Sequence, residues 1–219
     1  MKARACTKTF EGRRVLSVPE ISFAPGKIYA LIGANGSGKS TFARLLAGVL
    51  PADGRGRVLE GPGRVGYMPQ RSYAFRLTTQ ANILLAGKDR DRAARLMAAL
   101  GLTDLARQRA GGLSGGETAK MALARLLMGS FDLLLLDEPT AAMDMESAIL
   151  AEGLVDAHRR ETGCTVLLIT HDLQQARRMA DEALFFREGQ LWEQGPAETL
   201  LYTPERPETR QFLAFYGGA

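Results

Sequence analysis

The chain has 219 residues, 46% of them apolar and 24% charged, with a formal net charge of +4. Such a composition buries a real core and excludes a disordered chain, and the length suits one large or two small domains. The positive excess is mostly arginine scattered over polar faces, without a run of about five or six like charges, which argues for a solvated surface and against nucleic acid as a partner.

The first thirty residues read as strands. ARACTKTF and VLSVPEISFA alternate loosely between turn signals at Glu11-Gly12 and Pro25-Gly26. The opening MKARACTKTFEGRR has no apolar h-region, so no signal peptide is expected. IYALIG is a short apolar run ending in a glycine loop, and STFARLLAGVL follows with helical periodicity that places Phe42, Leu45, Leu46 and Val49 on one face. RVGYMPQ, residues 64–70, reads as a strand. Residues 71–128 then show helical periodicity: TTQANILLAG, then DRDRAARLMAALGL with Ala94, Leu96, Met97 and Leu100 recurring, then ETAKMALARLLMG. Strand and helix alternate again from FDLLLLDEP onward. DMESAILAEGLVDAHRRET is a helix, with His158 beside Arg159 and Arg160 on a solvated face. CTVLLITHD is a strand, DLQQARRMAD a helix, EALFFREGQLWEQG a hairpin turning at Glu188-Gly189, and PAETLLYTP and ERPETRQFLAFY are short closing helices.

Strands alternating with helices predict an α/β fold with a mostly parallel sheet and helices on both faces. LLLL and TVLLIT are apolar without alternation, as strands buried on both faces should be. Cys6 and Cys164 have no CxxC neighbour and no nearby histidine, so they suggest no metal site, and Cys164 reads as a buried thiol in a reduced compartment. No stretch approaches the roughly 18 apolar residues of a bilayer span, so any work at a membrane goes through a partner.

Gly33-Ala34-Asn35-Gly36-Ser37-Gly38-Lys39-Ser40 fits G-x-x-x-x-G-K-[ST] between an expected strand and an expected helix. Glycines let backbone N–H groups close around phosphate oxygens, and the helix N-terminus points at the same place. Lys39 can reach the β and γ phosphates, and the Ser40 hydroxyl can ligate Mg²⁺. The acid this chemistry needs at the end of a buried strand is Asp137, able to hold Mg²⁺ directly or through water. Glu138 beside it is either a solvated loop acid or the carboxylate that orients and polarises the attacking water. His171 ends the next strand, on the carboxyl edge where ligands sit in a parallel sheet. A second segment, Leu113-Ser114-Gly115-Gly116-Glu117, opens a helix; its residues fit either an ordinary capping pattern or another anion-binding helix terminus.

These pieces in this order resemble the ATP-binding cassette (ABC) ATPases, over nearly the whole chain. GANGSGKS, followed by Thr41, looks like the Walker A loop, and LLLLDEP looks like the Walker B strand with its glutamate. LSGGE looks like the family signature. Gln70 resembles the Q-loop glutamine, AAMD at 141–144 resembles the D-loop ending in Asp144, His171 matches the switch histidine, and Phe10 resembles the aromatic that stacks on adenine. The resemblance implies one ABC ATPase domain over residues 1–219: a P-loop NTPase core of residues 1–70 and 129–219 with an N-terminal antiparallel β subdomain, and an inserted helical subdomain at 71–128. It implies ATP and Mg²⁺, with Glu138, His171, Gln70 and Lys39 catalytic and Ser40, Gln70 and Asp137 at the metal. It also implies a head-to-tail pair of cassettes in which Ser114, Gly115, Gly116 and Glu117 grip the other copy's nucleotide. The implied partners are a second copy, a transmembrane permease docked near Tyr73, Phe75 and Leu77, and indirectly a substrate-binding protein; the implied place is the cytoplasmic face of the inner membrane. The tail, GQLWEQGPAETLLYTPERPETRQFLAFYG, resembles importer cassettes for oxyanions such as phosphate or tungstate, and those for amino acids. A soluble ABC ATPase and a split exporter subunit are the alternatives. Thr118 and Ala119 stand where the family commonly has glutamine or arginine, Ala141 and Met143 replace the usual serine and leucine, and the stretch between Walker A and Gln70 is short.

Overall fold

The computed structural model describes residues 1–54, 56–61 and 63–216. Four short strands open the chain: β1 (Lys2–Ala3), β2 (Cys6–Phe10), β3 (Arg13–Val18) and β4 (Ile21–Ser22). β2 and β3 pair antiparallel, and β1 pairs with β4 as a separate two-stranded ribbon. Glu11 and Gly12, between β2 and β3, both hold positive φ, 49° and 78°, as a two-residue hairpin turn whose twist matches its strands requires. β5 (Ile28–Ile32), α1 (Lys39–Leu46) and β6 (Val65–Met68) follow. Next come α2 (Thr79–Ile83), α3 (Arg90–Ala99) and α4 (Gly115–Leu127), with no strand between them among the described residues. β7 (Leu133–Asp137), α5 (Met145–Thr162), β8 (Thr165–Ile169) and α6 (Leu173–Met179) restore the alternation. β9 (Glu182–Arg187) and β10 (Gln190–Pro196) make the expected hairpin at Glu188-Gly189, and α7 (Ala197–Leu200) and α8 (Pro207–Tyr216) close the described chain.

The main sheet has the order β2-β3-β10-β9-β5-β8-β7-β6. β9, β5, β8, β7 and β6 run parallel, and the antiparallel pairs β9–β10 and β2–β3 occupy the other side. From β5 the chain goes out to edge strand β6, returns through β7 and β8, then crosses to the opposite flank of β5 to lay down β9. β5 is therefore a topological switch point, and the crevice beyond its carboxyl end is where such sheets bind ligands.

The leucines of β7 show why the sheet needs helices on both faces. Leu134 and Leu136 pack into the cluster with Leu123 and Leu127 of α4, and Leu133 and Leu135 into the opposite one with Phe42 and Leu46 of α1. Each leucine so buried contributes roughly 1.5–3 kcal/mol. Both cysteines are buried, and burial pushes the Cys6 thiol up to about 11, which leaves it unreactive at neutral pH.

Three expectations need correcting. Val49 is 66% exposed rather than on the buried face of α1, because the helix ends at Leu46 and the chain turns at Gly48. In α3 the core position is Ala93, not the exposed Ala94. His158 is 3% exposed rather than solvated: the Arg92 side chain reaches over from α3, its Nη2 3.0 Å from His158 Nδ1, and also pairs with Glu161. Burial, and then the Arg92 charge, hold the His158 pKa below its usual 6.5. The unfolded chain therefore binds this proton near pH 6.5 while the folded chain does not, so stability present above that pH is lost as pH falls from it toward the folded value. The melting temperature of the wild type should drop further between about pH 7.5 and about pH 5.5 than that of His158→Phe. Equal drops would show that His158 carries no such linkage.

Candidate functional site

β5 is buried along its whole length and delivers Gly33 to the switch point. Gly33 sits at φ 144°, and a Cβ there would lie 2.1 Å from the Phe186 carbonyl oxygen of β9, so only glycine lets the loop lie this close to the neighbouring strand. α1 begins at Lys39, behind Gly38, with no side-chain cap. Its first-turn amides are thus left for a ligand. Lys39 is buried, and its Nζ donates to the carbonyl oxygens of Gly33 (2.7 Å) and Ala34 (2.9 Å). No carboxylate pairs with it among the described residues. Burial lowers its pKa, and Glu138 and Asp137 oppose that shift. A buried cation held only by two carbonyls and, more weakly, the Ser37 hydroxyl at 3.4 Å is the counterpart of an anionic ligand.

The strands beside β5 bring the other groups. Asp137, the last residue of β7, accepts from Ser40 Oγ at 3.1 Å through Oδ1. Its Oδ2 is buried and has no hydrogen-bond partner. Burial pushes this carboxyl upward, with Ser40 opposing. An orphaned carboxylate oxygen beside a serine hydroxyl fits a divalent cation, which would supply the missing partner. Mg²⁺ suits such a site because it keeps waters and phosphate oxygens around one or two protein ligands.

Glu138 follows at φ 50°, a left-handed conformation rare for a residue with a side chain, with its N–H donating to the Ile169 carbonyl of β8 at 2.9 Å. Its Oε2 accepts from Gln70 Nε2 at 2.9 Å, and its Oε1 lies 3.2 Å from His171 Nδ1. Gln70, Glu138 and His171 stand just beyond the ends of β6, β7 and β8, three adjacent strands. Val15, Asn35 to Thr41, Gln70 and Glu138 line one cavity of about 270 Å³. A larger cavity of about 410 Å³ lies between residues 34–37 and the α8 aromatics Phe212 and Phe215. It includes none of Lys39, Ser40, Gln70 or Glu138, so volume alone does not mark the reacting end.

The remaining sequence candidates lie outside the phosphate cavity. Phe10 is 45% exposed at the tip of β2, with Lys8 Nζ 5.3 Å from its ring centroid. Ser114 caps α4: its Oγ accepts from the Glu117 N–H at 3.3 Å, and Glu117 Oε2 accepts from the Ser114 N–H at 2.7 Å. These bonds lower the Glu117 pKa. A Cβ on Gly116 would lie 2.7 Å from the Ala142 carbonyl oxygen, so the 141–144 loop rests directly on the start of α4. Asp144 caps α5, accepting from the Ser147 N–H and hydroxyl, both at 2.8 Å. None of Ser114, Gly115, Gly116 and Glu117 lines the phosphate cavity of the same chain.

Sequence reasoning missed Val15 as a wall of the cavity. It also missed the Thr140–Gln175–Glu152–Arg178 chain behind Glu138, buried at Gln175 and Glu152. The only hint of that chain was the pair of amides in DLQQARRMAD, on a helix that otherwise needed apolar residues toward the sheet.

The family description "ABC transporter" matches residues 16–141, more than half of the chain. The aliphatic sulfonates import ATP-binding protein of Cupriavidus necator is 36% identical over 203 residues, covering 87% of this chain and 67% of that protein. The zinc import ATP-binding protein of Alcanivorax borkumensis is 42% identical over 183 residues, covering 80% and 70%. In fold, the chain is similar to a bacterial Atm1-family ABC exporter with ATP bound, with a TM-score of 0.85 at 23% identity. All of this chain matches there, but it spans only 42% of the exporter's length. A P-loop at the switch point, an antiparallel β subdomain at the N-terminus, an inserted helical block and these matches agree, and the chain belongs to the ABC transporter family as an ATP-binding, ATP-hydrolysing cassette.

Proposed function

We propose that this cassette powers a membrane importer for a small solute, working as a pair of copies that close on two ATP molecules. The observation that carries the catalytic part is the Gln70–Glu138–His171 cluster, of which Gln70 and Glu138 line the P-loop cavity. In this reading Gly33 to Thr41 wrap the phosphates with backbone N–H groups, and Lys39 transfers its Nζ from the loop carbonyls to the β and γ oxygens. Ser40, Asp137 and, from its place beside Glu138, Gln70 would hold Mg²⁺, which neutralises charge building on the phosphates. Glu138 takes the proton of the attacking water, with Gln70 and His171 fixing its two oxygens, and His171 is then placed to donate to the γ-phosphate. Phe10 stacks on the base. The second copy presents Ser114, Gly115 and Gly116, with Glu117 and Asp144 holding that edge in shape. The cap does not exhaust Ser114, because its Oγ accepts from Glu117 N–H while its own hydrogen is free to donate to a phosphate.

Import is favoured because both relatives above are named as import proteins, whereas the exporter shares only the fold. Their cargoes differ, a sulfonate and zinc, so cassette likeness does not single out a cargo. An oxyanion cargo, such as phosphate or tungstate, or an amino acid, rests on the tail of the chain, and other subunits would read it. No described helix is long and apolar enough to cross a membrane. A permease at the cytoplasmic face, fed by a substrate-binding protein, would supply the span.

Residues 71–128 would form the arm that docks the permease. Tyr73 is 62% exposed, Phe75 44% and Leu85 53%. A cavity of about 230 Å³ beside Pro69, Tyr73 and Leu85 adjoins Gln70, so a partner seated there would sense movement at the γ-phosphate. Cysteines placed at Tyr73 or Phe75 should cross-link to a membrane-spanning protein in native membranes. Cross-links only to cytosolic proteins would favour a soluble ABC ATPase instead.

A further inference from the structure

We propose that Gln175 is a positioning residue for ATP hydrolysis, holding the loop that carries Glu138 against the helix that follows His171 through a hydrogen bond to Thr140. The proposal rests on the reading of Glu138 given above.

Gln175 lies in the first turn of α6, four residues after His171, and is 1% exposed. Its Nε2 donates to Thr140 Oγ1 at 2.9 Å and to Glu152 Oε1 at 3.1 Å. Thr140 is two residues past Glu138, in the turn that Met143 N–H closes onto the Thr140 carbonyl at 2.9 Å. Glu152, on α5 and 7% exposed, is gripped by Arg178 as a fork, Nε to Oε2 at 2.9 Å and Nη2 to Oε1 at 2.7 Å. The orientation of the amide is forced. A carboxylate only accepts, so Gln175 must turn its nitrogen toward Glu152, and the second hydrogen of that nitrogen then reaches Thr140.

This is an expensive way to join two helices. Glu152 and the Gln175 amide lose most of their hydration while Arg178 stays at the surface, and apolar residues in their place would pack at no such cost. What apolar residues cannot do is fix the direction of one amide. The Arg178 fork locks Glu152, Glu152 locks Gln175, and Gln175 locks Thr140. Glu138 itself sits in a left-handed conformation that its surroundings must impose. It is tied to β8 through its own N–H and to His171 through its side chain. The Thr140 bond is a further tie between the two segments that carry Glu138 and His171. Losing it would let the 139–143 turn relax and move the Glu138 carboxylate relative to the water it must meet.

The test is Thr140→Val, which keeps the shape and removes the acceptor, together with Gln175→Met and the conservative Thr140→Ser. Each is measured in the full chain for kcat, for the Kd of a fluorescent ATP analogue, and for Tm. A small displacement of a reacting group costs on the order of 10- to 100-fold in rate, so kcat should fall by about that much in Thr140→Val and Gln175→Met. Kd should stay within about twofold, and Thr140→Ser should recover most of the rate. Wild-type kcat in Thr140→Val overturns the proposal. So does a parallel loss of binding and rate, or a Thr140→Ser as impaired as Thr140→Val, since either makes the contact a matter of packing. Glu138→Gln run alongside separates the two levels. If it hydrolyses ATP normally, the reading of Glu138 fails and the proposal with it. If it is inactive while Thr140→Val is fully active, only the positioning role fails.

Discussion

Glu138→Gln should bind ATP and lose most of its hydrolysis. The amide has the same shape, and the backbone at φ 50° has no reason to prefer one side chain over the other. Contacts to Gln70 and His171 can still form through the amide oxygen or nitrogen. What disappears is a group able to take a proton from water, and losses of roughly 10²–10⁴ in rate follow the removal of such a base. Nucleotide affinity should be nearly unchanged, because the phosphates are held by the loop around Lys39 and not by Glu138. With binding intact and turnover blocked, the protein should accumulate as an ATP-bound dimer on a sizing column. A variant that releases phosphate at the wild-type rate would place the base elsewhere.

Lys39→Ala should fail one step earlier, at binding. Lys39 Nζ now sits on two loop carbonyls, a stand-in arrangement that a phosphate would outcompete as a charged acceptor. A charge-assisted hydrogen bond is worth about 1.5–3 kcal/mol, so affinity should fall on the order of 10- to 100-fold per bond lost, and turnover should fall below detection. Folding should survive. The lysine is buried without an acidic partner, so its removal orphans no buried carboxylate, unlike the loss of one member of an ion pair. Calorimetric titration with ATP, alongside a melting curve, separates the two effects. A folded Lys39→Ala protein with wild-type affinity would contradict the P-loop reading.

Much of the fold was legible because its signals are local. The runs IYALI and LLLL, the glycine loop with Lys39 behind it, and the Glu11-Gly12 and Glu188-Gly189 turns each state their own conformation within a few residues. The phosphate site was legible for the same reason, since strand, loop and helix are contiguous there. Contacts made across the sequence were not. His158 looked solvated because its neighbours are Arg159 and Arg160, whereas the side chain that meets it, Arg92, lies 66 positions earlier. The bond from Gln175 to Thr140 spans 35 positions, so no periodicity could announce it. Val49 failed for a smaller reason: helical spacing continued past the residue where the hydrogen-bonded helix ended.

The central claim is that each ATP is held by the P-loop of one copy and the Ser114–Gly116 segment of the other. Mixing two inactive variants tests it most directly. Lys39→Ala breaks the P-loop. Gly115→Asp places a carboxylate where a γ-phosphate would sit, a like-charge clash in a partly shielded site. A Cβ on Gly115 meets nothing within 4 Å, so the second variant should fold. Each protein alone has both of its sites broken. In a mixed dimer one interface collects both lesions and the other has none. Mixing the two should therefore restore ATPase activity, in proportion to the mixed dimers formed. If Gly115→Asp alone hydrolyses ATP at the wild-type rate, the shared-site account is contradicted.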